Sequence, residues 1–189
     1  MKLGVYIGSF NPPQKGHLKI VNYLIQNYVD KVIIVPTGNY WNKTNLLDIE
    51  KRISMLKIFE DDNIIIDDKN NDIEYTYLLL EKLKLEFPCD ELYLVLGADN
   101  IVNFDKWRNY QDLLNYNFII INRKNIDIKY YLNRLSKSDK YIITDSLPLI
   151  NISSTMVRTA IKNGDFCKLN NMLDERVLKY ILENNLYVE

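Results

Sequence analysis

A chain of 189 residues, 47% hydrophobic and 26% charged, has the size and make-up of one soluble globular domain, able to bury roughly 70% of the surface its unfolded form exposes. With 24 Lys and Arg against 25 Asp and Glu, the net charge is -1; this argues against broad nucleic-acid binding, which needs a basic face. Two separated cysteines, Cys89 and Cys167, and a single histidine, His17, argue against a zinc centre and fit a reducing cytoplasm. No apolar run approaches the roughly 20 residues of a membrane span, and the first residues lack a signal peptide's apolar core.

Short apolar runs alternate with amphipathic stretches along the chain. LGVYIGS (3–9) reads as a buried strand, and KGHLKIVNYLIQNY (15–28) as a helix with Leu18, Val21, Leu24 and Ile25 on one stripe. KVIIVP (31–36) is a strand closed by a proline, followed by a polar and aromatic loop over 37–47. A helix is expected over 48–60, a strand over 63–68, a helix over 74–87 stopped by Pro88, and a strongly apolar strand over 91–99. Strands follow over 116–123 and 140–146, then helices over 154–164 and 175–185. The alternation predicts an α/β fold with a doubly wound parallel sheet. The whole of 1–189 reads as one domain, with a small helical subdomain from about 150 to 189.

In such sheets ligands lie beyond the carboxyl ends of the strands. The segments there are Gly8–His17, Pro36–Lys43, Gly97–Asp99, Arg123 and the run NISSTMVR (151–158), and they hold most of the unusual residues of the chain. GSFNPPQKGHL (8–18) runs from a strand through a Gly- and Pro-rich loop into a helix, an arrangement that offers backbone N–H groups to an anion. It is neither a Walker A loop nor GxGxxG. Gln14 and His17 lie on one face of the helix start, where the dipole favours negative charge. The plain alternative is a turn carrying a half-buried histidine. In NISSTMVR, Ser153 or Ser154 is either a helix cap or, with Arg158, part of a second phosphate cradle. Two such helix starts on one sheet suit a triphosphate.

GSFNPPQKGH resembles the (H/T)xGH motif of the nucleotidyltransferase superfamily, and ISSTMVR its ISSTxxR motif, in the same order and at similar spacing. PTGNYWNK with Lys43, EKRISML, EYT with Tyr75 and Thr76, LGADNIVNFDKW and the tail YILENNLY are similar to segments of the bacterial-type nicotinate-nucleotide adenylyltransferases. The resemblance covers nearly the full chain. It departs from the family pattern at Gln14, where a histidine is usual, and at YLLLE after Thr76, where an Asp-Thr pair is usual.

The resemblance implies a Rossmann-like nucleotidyltransferase fold and transfer of an adenylyl group from ATP to nicotinate mononucleotide, giving deamido-NAD and pyrophosphate in the cytoplasm. The attacking phosphate is already an anion, so catalysis is positioning and charge neutralisation. His17, Lys43 and Arg158 are the expected catalytic residues. Gly8, Ser9, Phe10, Gln14, Gly16, His17, Gly97, Asp99, Ile152, Ser153, Ser154 and Arg158 are expected to bind ATP. In this reading Gln14 gives one neutral hydrogen bond to the α-phosphate, and Ser153 and Ser154 grip the β- and γ-phosphates. Lys43, Thr76 and Trp107 are expected to bind the mononucleotide, with Trp107 against the pyridine ring. Tyr40 and Trp41 read as a lid or a protein contact. Magnesium is expected with ATP, on phosphate and water with no dedicated protein ligands. No nucleic-acid or membrane partner is expected, and the reading leaves room for a homo-oligomer. The competing readings are an adenylyltransferase for nicotinamide mononucleotide or phosphopantetheine, and a non-catalytic nucleotide sensor.

Overall fold

Six strands carry near-continuous apolar runs, as strands covered on both faces do, and all six pair in parallel. The structure, a computed structural model, describes residues 1–40, 46–122, 126–137, 139–144 and 152–188. Lys43, Trp41, Arg123 and Asn151 therefore lie outside the described residues. In chain order the strands are β1 (Lys2–Gly8), β2 (Lys31–Pro36), β3 (Ile64–Ile66), β4 (Glu91–Gly97), β5 (Asn117–Ile121) and β6 (Tyr141–Thr144). Their order across the sheet is β3-β2-β1-β4-β5-β6. The order reverses between β1 and β4, which pair with Tyr6 opposite Val95. Gly8 and Gly97 thus end neighbouring strands from which the chain departs in opposite directions, and a crevice opens there.

The two-residue alternation of each strand sorts its side chains onto two cores. Val5, Ile33, Leu94 and Ile120 face one side, packed with Leu79, Leu80, Leu83, Phe104 and Leu132. These come from α3 (Thr76–Glu86), a 3₁₀ turn over Phe104–Lys106 and α6 (Ile128–Arg134). Tyr6, Ile34, Val95 and Ile119 face the other side, against Ile20, Val21 and Leu24 of α1 (Lys15–Asn27) and Leu56 of α2 (Ile49–Lys57). Short helices α4 (Ala98–Ile101) and α5 (Tyr110–Leu113) follow β4. The last three helices, α7 (Ser154–Lys162), α8 (Phe166–Met172) and α9 (Glu175–Glu183), build a third core that includes Met55 of α2.

The doubly wound parallel sheet is as expected. Three details differ from the sequence expectation. The strand expected over 91–99 ends at Gly97, because Ala98 already begins α4. The helix expected over 48–60 is shorter, ending at Lys57. Helices α4, α5, α6 and α8 are additional, and each is shorter than the roughly 11–18 residues over which helical periodicity is read.

Candidate active site

The opening loop is tied down by its own unusual residues. Gln14 is the N-cap of α1, although Ser, Thr, Asp and Asn are the usual caps. Its Oε1 accepts from the Gly16 N–H, and its backbone N–H donates to His17 Nδ1 at 3.1 Å. A Cβ at Gly16 would lie 2.5 Å from Gln14 Oε1, so only glycine leaves room for this cap. Because Nδ1 accepts, a neutral His17 ring carries its proton at Nε2. Phe10, with φ of 45°, turns its buried ring edge-on to His17, the ring centroids 5.0 Å apart. The side chain of Phe10 thus braces the imidazole.

The second helix start is fastened to this loop. Gln14 Nε2 donates to the Ile152 carbonyl at 3.2 Å, Ser154 Oγ to the Pro12 carbonyl at 2.9 Å, and Arg158 Nη1 to the Asn11 carbonyl at 2.7 Å. Arg158 Nη2 also donates to Thr155 Oγ1 at 3.2 Å. Ser153 Oγ accepts from the Met156 N–H at 3.2 Å and caps α7. Within the protein Ser153 is thus a cap, Ser154 a latch, and the 3%-exposed Gln14 a cap and a tether. These groups hold the frame; the Ser153 hydroxyl, which accepts in the cap, keeps its O–H to donate alongside helix N–H groups, Arg158 and His17.

Asn11, absent from the expected site, is a junction. Its Oδ1 accepts from Tyr187 Oη at 2.7 Å and from the Leu47 N–H at 3.2 Å, while its carbonyl takes Arg158. Burial pushes the Tyr187 hydroxyl well above the ordinary tyrosine range, with Arg158 and Arg52 pulling it the other way. The tyrosine therefore donates as a neutral phenol. Arg52, on α2, donates to Leu47, Ser9, Thr37 and Asn39. It is fully buried. Its signal was present in the sequence: Ile49, Arg52 and Leu56 fall on one apolar helical stripe. Asn11 and Tyr187 give no comparable local signal.

Beside this frame lies a cleft of about 440 Å³ at the ends of β1, β2 and β4. Gly8, Ser9, Thr76 and Trp107, all expected site residues, line it together. Gly97 and Asp99, at the end of β4 and in the first turn of α4, lie outside this lining, as do His17 and Arg158. Trp107 leans on Phe104, the ring centroids 5.1 Å apart, and keeps one side toward the cleft. Thr76 begins α3, whose first turn receives no side-chain cap, so its N–H groups are open to an acceptor. Tyr40 also lines the cleft and donates its hydroxyl to the Asn71 carbonyl. A Cβ at Gly38 would meet that carbonyl at 2.5 Å, so glycine permits the approach of the two loops. Thr37 Oγ1 and Asn70 Oδ1, on lining residues that the sequence did not single out, are buried without a hydrogen-bond partner among the described residues. Of the departure YLLLE, Leu79 lines the cleft and Leu78 is exposed.

Residues 5–160 match the family described as cytidylyltransferase-like. The chain is 36% identical to the probable nicotinate-nucleotide adenylyltransferase of Acholeplasma laidlawii, over 98% of this chain and 97% of that one. It is 32% identical to the protein of the same name from Flavobacterium johnsoniae, over 99% of each. The chain belongs to the nicotinate-nucleotide adenylyltransferase family. Its fold superposes with a TM-score of 0.81 on the Plasmodium falciparum nicotinic acid mononucleotide adenylyltransferase complexed with NaAD, at 27% identity over 98% of this chain and 97% of that one. The family's two end motifs are thus joined here by hydrogen bonds that span most of the chain.

Proposed function

We infer that the protein joins the adenylyl group of ATP to nicotinate mononucleotide, forming deamido-NAD and releasing pyrophosphate in NAD biosynthesis. The observation that carries this reading is the fusion of two phosphate-type helix starts into one hydrogen-bonded frame beside an aromatic-walled cleft. Kinship with adenylyltransferases, among them a structural neighbour complexed with NaAD, supports it.

A phosphate oxygen of the mononucleotide attacks the α-phosphorus of ATP, the bond from that phosphorus to the bridging oxygen breaks, and pyrophosphate leaves with the electron pair. No protein base is needed. His17 Nε2–H donates to an α-phosphate oxygen as charge builds there. Arg158 and the first N–H groups of α7 hold the departing phosphates. Lys43 is assigned to the same phosphates on the family resemblance. Gly8 and Ser9 bring backbone close to the triphosphate, and Gly97 with Asp99 takes the adenosine. Trp107 stacks on the pyridine ring, and the uncapped start of α3 at Thr76 receives its carboxylate. That open helix start favours a carboxylate over a carboxamide, and therefore nicotinate.

Among the described residues no three His, Cys, Asp or Glu side chains gather as a metal site. The donors at the ATP end are an imidazole, a guanidinium and N–H groups, which suit phosphate oxygens. Magnesium is accordingly assigned to the triphosphate and water, where it neutralises phosphate charge. The free cysteines agree with a cytoplasmic enzyme, and no helix among the described residues is long and apolar enough to cross a membrane.

The test is pyrophosphate release with ATP or CTP, crossed with nicotinate mononucleotide, nicotinamide mononucleotide and phosphopantetheine. Turnover fastest with ATP and nicotinate mononucleotide is expected. Faster turnover with another pair overturns the substrate assignment, and no turnover with any pair makes the protein a nucleotide sensor.

A further inference from the structure

Among the described residues, Arg52 is a buried cation with no carboxylate bonded to it. Its exposure is 0%, and its guanidinium meets only neutral oxygens. Nε donates to the Leu47 carbonyl at 2.8 Å, Nη1 to the Ser9 and Thr37 carbonyls at 2.8 Å each, and Nη2 to Asn39 Oδ1 at 3.0 Å. None of the ion pairs among the described residues includes it. Burial weakens its hold on its proton, opposed by Tyr187 and Asp48, yet a guanidinium stays charged inside proteins. Neutral acceptors take four of its five N–H groups, and no described carboxylate forms an ion pair with it. Buried charges are ordinarily paired, because an unpaired one is costly.

The location of this charge gives it a use. Ser9 and Thr37 both line the cleft, and Arg52 does not. The guanidinium therefore stands directly behind the wall made by the ends of β1 and β2. It also draws the carbonyls of both lining residues away from the cleft, so that their negative ends do not face an incoming anion.

We propose that Arg52 is a positioning residue whose missing counter-ion is the phosphate of the bound mononucleotide: it ties the loops after β1 and β2 together, and its buried charge gives the cleft its preference for phosphorylated over dephosphorylated ligand. The identity of that ligand rests on the function inferred above; the anion preference does not. Arg52 touches no substrate. It acts through two backbone segments and through a field that the interior screens weakly.

The experiment compares binding of nicotinate mononucleotide with binding of nicotinate riboside, its phosphate-free counterpart, by titration calorimetry, with inorganic pyrophosphate as a third probe. Asn39→Asp puts a carboxylate on Nη2 without removing any loop contact. The counter-ion role predicts a raised melting temperature together with a mononucleotide-to-riboside affinity ratio lowered about tenfold or more. Arg52→Gln, which keeps donors and loses the charge, lowers the same ratio. Arg52→Lys, which keeps the charge and loses the fork, weakens both ligands and preserves the ratio. If the two affinities fall together in Arg52→Gln, or the ratio is unchanged in Asn39→Asp, Arg52 is a loop clamp only and the proposal is overturned. Should Arg52→Gln not fold, the Asn39→Asp ratio and melting temperature decide. If neither pyridine compound binds the wild-type protein, the substrate assignment fails, and weaker pyrophosphate binding by Asn39→Asp still tests the inference about Arg52.

Discussion

The two halves of the site are built in opposite ways. The phosphate frame is held by partners remote in sequence: Gln14 to Ile152, Ser154 to Pro12, Arg158 to Asn11 and Tyr187 to Asn11. Its polar side chains are bonded within the protein, mostly to backbone carbonyls. The pyridine side is assembled from short neighbouring turns, with Tyr40 on Asn71 and an uncapped helix start at Thr76. In the reaction proposed above, the first region fixes donors before substrate arrives, which is what stabilising charge in a transition state requires. The second is held by fewer long-range ties, and two oxygens in its wall are buried without a hydrogen-bond partner among the described residues.

The largest effect should come from the point where the frame touches chemistry. His17→Ala is expected to lower kcat by about 10²–10³ with the melting temperature little changed; a fall of less than about fivefold would remove His17 from the proposed role. Asn11→Ala breaks the junction one layer behind, leaving the Tyr187 hydroxyl and the Leu47 N–H without their acceptor. It should cost about 2 kcal/mol or more of stability by chemical denaturation and lower kcat as well. Gln14→Ala unpairs the Gly16 N–H and the Ile152 carbonyl, for an expected loss of about 1–2 kcal/mol and a smaller drop in kcat. Stability unchanged by both substitutions would mean that the frame is not held as described. Trp107→Ala tests the other side: the KM for nicotinate mononucleotide should rise about tenfold, with the KM for ATP and the melting temperature nearly constant. An equal rise in both KM values would show that the two regions are not separable.

Much of this molecule was legible before folding was considered. The apolar runs that became β2, β4 and β5 dictate a sheet covered on both faces, and the loops at their carboxyl ends carry the motifs. Gly8, Ser9, Thr76 and Trp107, chosen from sequence, meet in one cleft. What sequence did not disclose is which polar groups are spent inside the protein. Ser154 and Gln14 carry the right atoms for phosphate, yet each also finds a backbone partner about 140 residues away that only the folded chain supplies, whereas the Ser153 cap is local. Asn11 and Tyr187 lie in segments that carry the family resemblance, but their pairing was not readable, because it joins positions 176 residues apart. Arg52 was readable as a charge on an apolar stripe; the neutrality of its surroundings was not.

The wiring of Asn11 also sets an order in time. A ribosome releases the chain from its amino end, so β1 and the loop after it emerge long before α7 and Tyr187. Until those last segments are made, the sheet has its strands but Asn11 lacks Arg158 and Tyr187, and Gln14 lacks Ile152. A nascent chain can own the walls of the crevice without owning its grip on phosphate. Completion of this frame therefore waits on α7 and Tyr187, which must reach a loop made well before them.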